Sequence, residues 1–317
     1  MKKVFFLFVL FSLTIANVPL FSQAFGDYST GVSKKDTVCF KYKFFPGDTL
    51  EYYVTAHDSI IIDYDDALMR IRYERWRLVC DSVSQDGLYY LSYTLMEYLA
   101  KERKGDIEPV TRKTSPWTGR TAKILLDSLG RRYISHQEDE TKAAMSPGGA
   151  YTPHLLIKIN ESCKAVNESW IVKSEGKIVE NGFPYPEIDR SMLMRAKESR
   201  DTLGYDCNRL NYISTASGTV SVVTDMAKVR VEGVLNGFGD MSISKKEWVP
   251  VFYHGSLEQK LKIDTPDNPT KPGWQYVDIY YSLSRFLPSE KRKEYHEKMR
   301  KAREKAKEEE LKQKDGD

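Results

Sequence analysis

Between Val38 and Phe286 the chain is a succession of short runs in which apolar and polar residues alternate, separated by turn residues. A period of two belongs to strands, so this pattern limits the fold more than any other feature of the chain. Val38, Phe40, Tyr42 and Phe44 alternate with Cys39, Lys41 and Lys43; Pro46-Gly47-Asp48 reads as a turn; Leu50, Tyr52 and Val54 share one face of the returning strand, completing a hairpin. In Leu68–Val83 the apolar parity switches between Met69, Ile71, Tyr73 and Trp76, Leu78, Cys80, which predicts a bulge or a bend near Glu74-Arg75. Leu88–Ala100 carries apolar residues on both faces and reads as a central strand covered on both sides. Further short runs span 122–126, 132–135, 155–159, 170–173, 177–180, 208–213, 219–224, 228–235, 241–243, 249–253, 257–263 and 275–286. Many short strands with turns between them predict an antiparallel sheet rather than βαβ units. A transmembrane barrel is excluded on this reading, because the apolar parity switches within strands instead of keeping one lipid face.

Helical patterns are few. Pro186–Glu198 places Ile188, Met192 and Ala196 at i, i+4 and i+8, and a short helix is expected there as a plug; another is expected around 138–144. In the tail, Pro288-Ser289 can start a helix, and Glu294–Lys298 and Glu297–Lys301 are favourably ordered i, i+4 pairs. Tyr295, Met299, Ala302 and Ala306 make only a thin apolar stripe, so a solvated helix is expected, with a docking helix or short coiled coil as the alternative. The expected fold is mainly β: a curved antiparallel sheet of half-barrel type, with a short helical plug and a charged C-terminal helix. The expected organisation is a signal peptide over 1–24, a flexible lead-in over 25–36, the β domain over 37–287 and the helical tail over 288–317.

The start of the chain carries the compartment signal. Lys2-Lys3 precedes an apolar run from Val4 to Ile15, Asn17 and Pro19 break it, and Ser22-Gln-Ala24 offers small residues at −3 and −1. The run is short of the ~20 residues that span hydrocarbon, so cleavage after Ala24 is expected over a retained anchor. The mature chain then has no transmembrane span and is periplasmic or extracellular. Cys39, Cys80, Cys163 and Cys207 all follow the leader, and an even count there permits two disulfides. Neighbour pairing, Cys39–Cys80 with Cys163–Cys207, is one reading; four buried free thiols is the other.

Net charge excludes one class of partner. The chain's +3 pools the two leader lysines with a tail surplus of two, which leaves the body near −1. Nucleic-acid binding needs concentrated positive charge and is not expected. No nucleophile elbow, phosphate loop or dinucleotide fingerprint is present, and Gly237-Phe-Gly239 reads as a turn. His57, His136, His154, His254 and His296 fall at no metal-binding spacing, and Ser242-x-x-Lys245 reads as the end of a strand. Asp58, Asp63, Asp65 and Asp66 lack the glycine and distal glutamate of a calcium loop and read as a solvated loop. Lys101, Arg103, Lys104, Arg112, Lys113 and Arg120, beside Trp117, read as an exposed basic loop. No catalytic residue, metal or cofactor is expected.

What remains is apolar surface. The runs 88–100 and 275–286 have two apolar faces each, and whatever meets the second face is a helix, a partner or a ligand. Tyr90, Met96, Tyr98, Met192, Tyr276 and Tyr280 are the candidate lining residues of such a cleft.

The segment Phe40–Tyr53 (FKYKFFPGDTLEYY) resembles the opening of uncharacterised secreted β-rich families of bacterial envelopes. Val166–Trp170 resembles their middle, with Asn167-Glu168 where Gly-Asp is usual, and Ser217–Tyr253 resembles their closing strands. These families are distantly similar to the half-barrels of periplasmic lipoprotein carriers. The resemblance implies a fold and supplies no site residue. The expected function is non-catalytic: an exported protein that binds lipid or another hydrophobic or amphipathic ligand in the concave face. The alternative is an envelope scaffold that meets a partner protein and has a plugged cleft. A hydrolase whose site assembles only in space is the third.

Overall fold

The computed structural model describes residues 36–115, 118–133, 155–160, 162–174, 189–223, 228–265 and 268–314. The expected signal peptide, most of the lead-in, the helix around 138–144 and the run 177–180 lie outside them. The described residues belong to one unit, Asp36–Asp317.

The strands are β1 (Thr37–Cys39), β2 (Thr49–Ile62), β3 (Leu68–Val83), β4 (Tyr89–Lys104), β5 (Val110–Arg112), β6 (Thr121–Leu126), β7 (Arg132–Tyr133), β8 (Cys163–Ala165), β9 (Ser169–Ser174), β10 (Asp189–Thr202), β11 (Tyr205–Val223), β12 (Lys228–Ser244), β13 (Pro250–Thr265) and β14 (Asn268–Leu287). One helix follows, α1 (Glu290–Lys314). Twelve strands form one antiparallel sheet in the order β7-β6-β4-β3-β2-β14-β13-β12-β11-β10-β9, with β5 also on β4; β1 and β8 form a separate pair. The sheet does not close into a barrel, and the mainly β class with a charged C-terminal helix is as expected. The parity switch in β3 is not a bulge of that strand: β3 pairs with β2 in unbroken register, Met69, Ile71 and Tyr73 facing outward and Trp76, Leu78 and Cys80 inward, and the extra residue at the Arg75/Trp76 register shift against β4 is Met96.

Curvature follows from two aromatic contacts. Phe44 packs edge-on to Tyr89 of β4, and Phe40 stacks on Trp170 of β9. Those strands are eight positions apart in the order, roughly 38 Å in a flat sheet at about 4.8 Å per strand. Phe40 and Phe44 are at most about 14 Å apart along the chain. The sheet therefore curls around the segment that carries them.

That segment differs from the expected hairpin. Only Thr37–Cys39 is a strand, and it pairs with β8, not β2. Phe40, Tyr42 and Phe44 instead lie across the inward face, all buried, with Leu155, Leu156, Ile157 and Ile159 beside them. Tyr42 donates to the Ile157 carbonyl at 3.0 Å, and its backbone N–H donates to the Ser128 carbonyl at 2.7 Å. Gly130 makes this approach possible: at φ +77° it is left-handed, and a Cβ there would lie 2.3 Å from the Ile157 carbonyl oxygen.

The plug is thus extended chain, and the expected helix at 186–198 is a correction. Residues 189–202 are β10, with Met192, Met194 and Ala196 all buried on its inward face. A spacing of four fits both a helix and one face of a strand; Met194, midway between the other two, belongs only to the strand. Gly237-Phe-Gly239 is a second correction, since it lies inside β12, where β12 runs from 228 to 244 as one strand. A Cβ on Gly239 would lie 2.6 Å from the Tyr212 hydroxyl, so glycine here admits a neighbouring ring rather than turning the chain.

The tail helix is anchored rather than simply solvated. Ser289 Oγ accepts from the Arg292 N–H, a capping contact. The Arg292 side chain turns back into the body and is 1% exposed. Its guanidinium donates to Asp48, Glu247 and the Glu247 and Lys43 carbonyls. Tyr295 packs on Phe45 with the Lys43 ammonium 3.5 Å above its ring. Beyond His296, residues 297–309 are exposed. No helix among the described residues is long and apolar enough to cross a membrane.

Candidate functional site: the inward face of the sheet

Directly opposed residues of antiparallel strands share a face, so the register sorts every side chain. The inward face begins at the plug with Leu50, Tyr52, Trp76, Leu78, Leu91, Tyr253 and Leu283, all part of one buried cluster. Further along the same strands the composition changes. One row there reads Ile60, Gln275, Gln259, Leu235, Ala216 across β2, β14, β13, β12 and β11. The next reads Ile62, Gly273, Leu261, Gly233, Gly218. Three glycines in five positions leave this row almost without side chains. Ile263 Cδ1 and Leu261 Cβ each lie 3.4 Å from where a Cβ on Gly273 would be, and Leu257 Cδ2 lies 2.6 Å from that point on Gly237. The glycines let the aliphatic side chains of β13 lie flat, producing a low apolar floor. Leu235, Leu257 and Val277 are buried, while Ile60, Val231, Leu261 and Ile263 are half-buried.

Beside the floor, β2 and β3 carry charge on the same face. Asp58 is buried and accepts from Arg70 Nε at 2.7 Å and Arg72 Nε at 2.6 Å. Arg72 also reaches Glu74 at 2.6 Å, and Glu74 accepts from Trp76 Nε1 at 2.7 Å. Arg70 and Arg112 both approach Glu102. Burial opposes the charge on Arg72, but Glu74 and Asp58 outweigh it and raise its pKa above the ordinary value. The cluster satisfies itself, three cations against three carboxylates, and forms a polar flank to an apolar floor. Asp58 is therefore a buried ion-pair partner rather than part of a solvated loop; Asp63, Asp65 and Asp66 do sit at the β2–β3 turn, exposed. No group of three or more potential metal ligands is found among the described residues.

The six candidate lining residues are not brought together. Tyr98 and Met192 face inward, the latter inside the plug cluster. Met96 sits at the β4 bulge. Tyr90, Tyr276 and Tyr280 are on the outward face and exposed. The floor residues Leu261, Ile263, Leu235 and Gly233 were missed, although the Gly-x-x-x-Gly-x-Gly spacing of 233–239 was the available signal.

Of the cysteines, Cys39 and Cys163 form a disulfide across β1 and β8, and Cys80 and Cys207 are free and buried. Neither neighbour pair forms, because the plug carries Cys39 away from β3. Burial pushes the Cys80 thiol up to about 12. Of the histidines, His136 and His154 lie outside the described residues. His254 stands on the outward face between Asp278, 2.8 Å from Nε2, and Asp240, 3.9 Å from Nδ1. Both ring nitrogens face carboxylates, so neither is placed to take a proton from a serine. His296 pairs with Glu247 at the helix anchor, and Ser242 is buried on β12.

No family model matches the chain, and no curated protein matches it. Among solved structures it is similar to one of lipovitellin that describes lipid–protein interactions in that protein, with 11% identity and a TM-score of 0.41. The likeness covers 78% of this chain and 26% of the lipovitellin chain, so the chain spans about a quarter of that protein's length.

Proposed function

We propose that the chain is an exported, non-catalytic binding protein that holds a hydrophobic or amphipathic ligand on the inward face of its sheet, beyond the plug. The observation that carries this reading is the glycine-lined aliphatic floor of β11–β14. A sheet face needed only for folding is ridged by alternate side chains that interlock with a covering layer. Here the row Gly273, Leu261, Gly233, Gly218 is low, and Ile60, Val231, Leu261 and Ile263 keep part of their surface. The charged flank of Asp58, Arg70, Arg72 and Glu102 suits a ligand with a polar end. Export is supported by the leader sequence and by the Cys39–Cys163 disulfide, which persists in oxidising compartments.

A second reading, an interaction scaffold with a filled cleft, is favoured by the plug itself, since Phe40, Tyr42, Met192 and Met194 leave no space at that end. Native mass spectrometry of protein purified from its own host separates the two. Lipid co-purifying at one molecule per chain is expected; bare protein across several detergents would reject the binding reading in favour of the scaffold.

A further inference from the structure

The outward face of β9–β12 carries a feature the ligand floor does not use. The register sets Ile171 against Leu193, Leu193 against Ile213 and Ile213 against Phe238. Four apolar side chains thus stand in one row across four strands. Ile171 is 61% exposed, Leu193 40% and Phe238 46%, with Ile213 half-buried between them. Solvated faces of antiparallel sheets are normally polar, so an exposed apolar row marks an interaction site.

Charge on the flanking positions of β9–β11 is positive. Lys173 lies on one side of the row; Arg195, Lys197 and Arg209 lie on the other. Segments 169–173, 191–197 and 209–215 contain no Asp or Glu. On β12 the rim position beyond Phe238 is a carboxylate, Asp240, opposite Asn211 and beside His254. Among the described residues Lys173, Lys197 and Arg209 make no ion pair. The row lies on the sheet surface, one side chain high, with cations on both sides. Such a layout offers no groove to a peptide and suits headgroups that can move laterally to meet scattered cations.

We propose that this row and its basic rim form a docking surface for an anionic lipid bilayer. The apolar side chains would enter the headgroup boundary and Lys173, Lys197 and Arg209 would meet lipid phosphates. This surface is on the opposite face from the ligand floor and stands whether or not that floor holds a lipid.

Flotation of the full chain with vesicles tests it, using phosphatidylcholine alone and phosphatidylcholine with one third phosphatidylglycerol. Binding to the anionic vesicles, much weaker binding to the neutral ones, and release at raised salt are expected. The triple variant Lys173→Gln, Lys197→Gln, Arg209→Gln is expected to lose about fivefold in affinity per cation removed. The pair Ile171→Gln, Leu193→Gln changes only exposed side chains, so it keeps the fold, and it is expected to lose about tenfold. Attachment through the apolar run 4–15 would respond to neither variant and would overturn the proposal. So would absence of binding to the anionic vesicles together with capture of an acidic, leucine-bearing peptide, which would make the surface a protein interface. Co-purified lipid should persist in both variants, so failure here is distinguishable from failure of the ligand floor.

Discussion

At one end of the inward face, β2, β3, β4 and β14 meet Phe40, Tyr42 and Phe44 in a closed aromatic core; about 30 Å further along β2 and β14, at about 3.3 Å per residue, the face is a low floor of glycine and flat-lying aliphatics shared with β11, β12 and β13. The two ends share backbone, register and curvature. What separates them is side-chain height. Where every inward position of β14 carries a large residue, from Leu283 to Val277, the sheet needs a covering segment and has one. Where Gly273, Gly233 and Gly218 stand in the inward row, the face is low, and Ile263 and Leu261 lie against the Gly273 position. Closure at one end is also covalent and ionic: the Cys39–Cys163 disulfide holds the plug strand, and Arg292 ties the tail helix to Asp48 and Glu247.

Separating the two ends experimentally starts with the covalent tie. The double variant Cys39→Ser, Cys163→Ser opens a loop of 124 residues and is expected to cost about 5 kcal/mol on the loop-entropy account. Urea unfolding reads this as a large fall in midpoint; a change under about a tenth of that would mean the plug is held by packing alone. Arg292→Met follows. It strands the Asp48 carboxylate, which is fully buried, and is expected to cost about 3–5 kcal/mol. If thermal melting shifts by no more than a surface substitution would, the helix anchor is not part of the closed end.

A smaller effect is expected at the floor, and on a different observable. Leu261→Gln should change stability by about 1 kcal/mol or less, yet weaken binding of a fluorescent fatty-acid probe by about tenfold. Equal loss of stability and binding would show that the floor is ordinary core. The smallest effect belongs to the outward face. Burial lowers the pKa of His254, but hydrogen bonds and charge from Asp240 and Asp278 outweigh it, so it lies above the ordinary 6.5. A raised folded-state pKa contributes stability that is complete below the unfolded value and is lost as pH rises through the folded one. The His254 ring signals in NMR should therefore titrate above pH 6.5, and Asp278→Asn should lower that midpoint. An unchanged midpoint would remove the carboxylate from the cause.

The contrast also explains what could be read from the sequence. Strand content was legible because alternation at Leu50, Tyr52, Val54 or Leu210, Tyr212 is a local property. The parity switch in β3 was legible, but its cause was not: β3 keeps unbroken register with β2, and the apolar residues change face because Arg70, Arg72 and Glu74 take the inward positions ahead of Trp76. The plug was not, because Phe40, Tyr42 and Phe44 alternate as they would in a hairpin, and only long-range contact with Trp170 and Ile157 sends them across the sheet. The Met192–Ala196 spacing fits helix and strand alike. Gly237 and Gly239 look like a turn in the sequence because a glycine that admits a neighbour's ring looks, in isolation, like one that bends the chain. Arg292 stands among eleven cations of the tail, and nothing local distinguishes the one that is buried.

Hydrogen exchange with and without a phospholipid delivered from vesicles tests most directly whether the floor is the binding site. Added protection confined to 231–235, 257–263 and 273–277, with Val38–Phe44 and Leu50–Val54 unchanged, is the expected result. Protection at the plug end, or none at the floor while lipid is demonstrably bound, would contradict it.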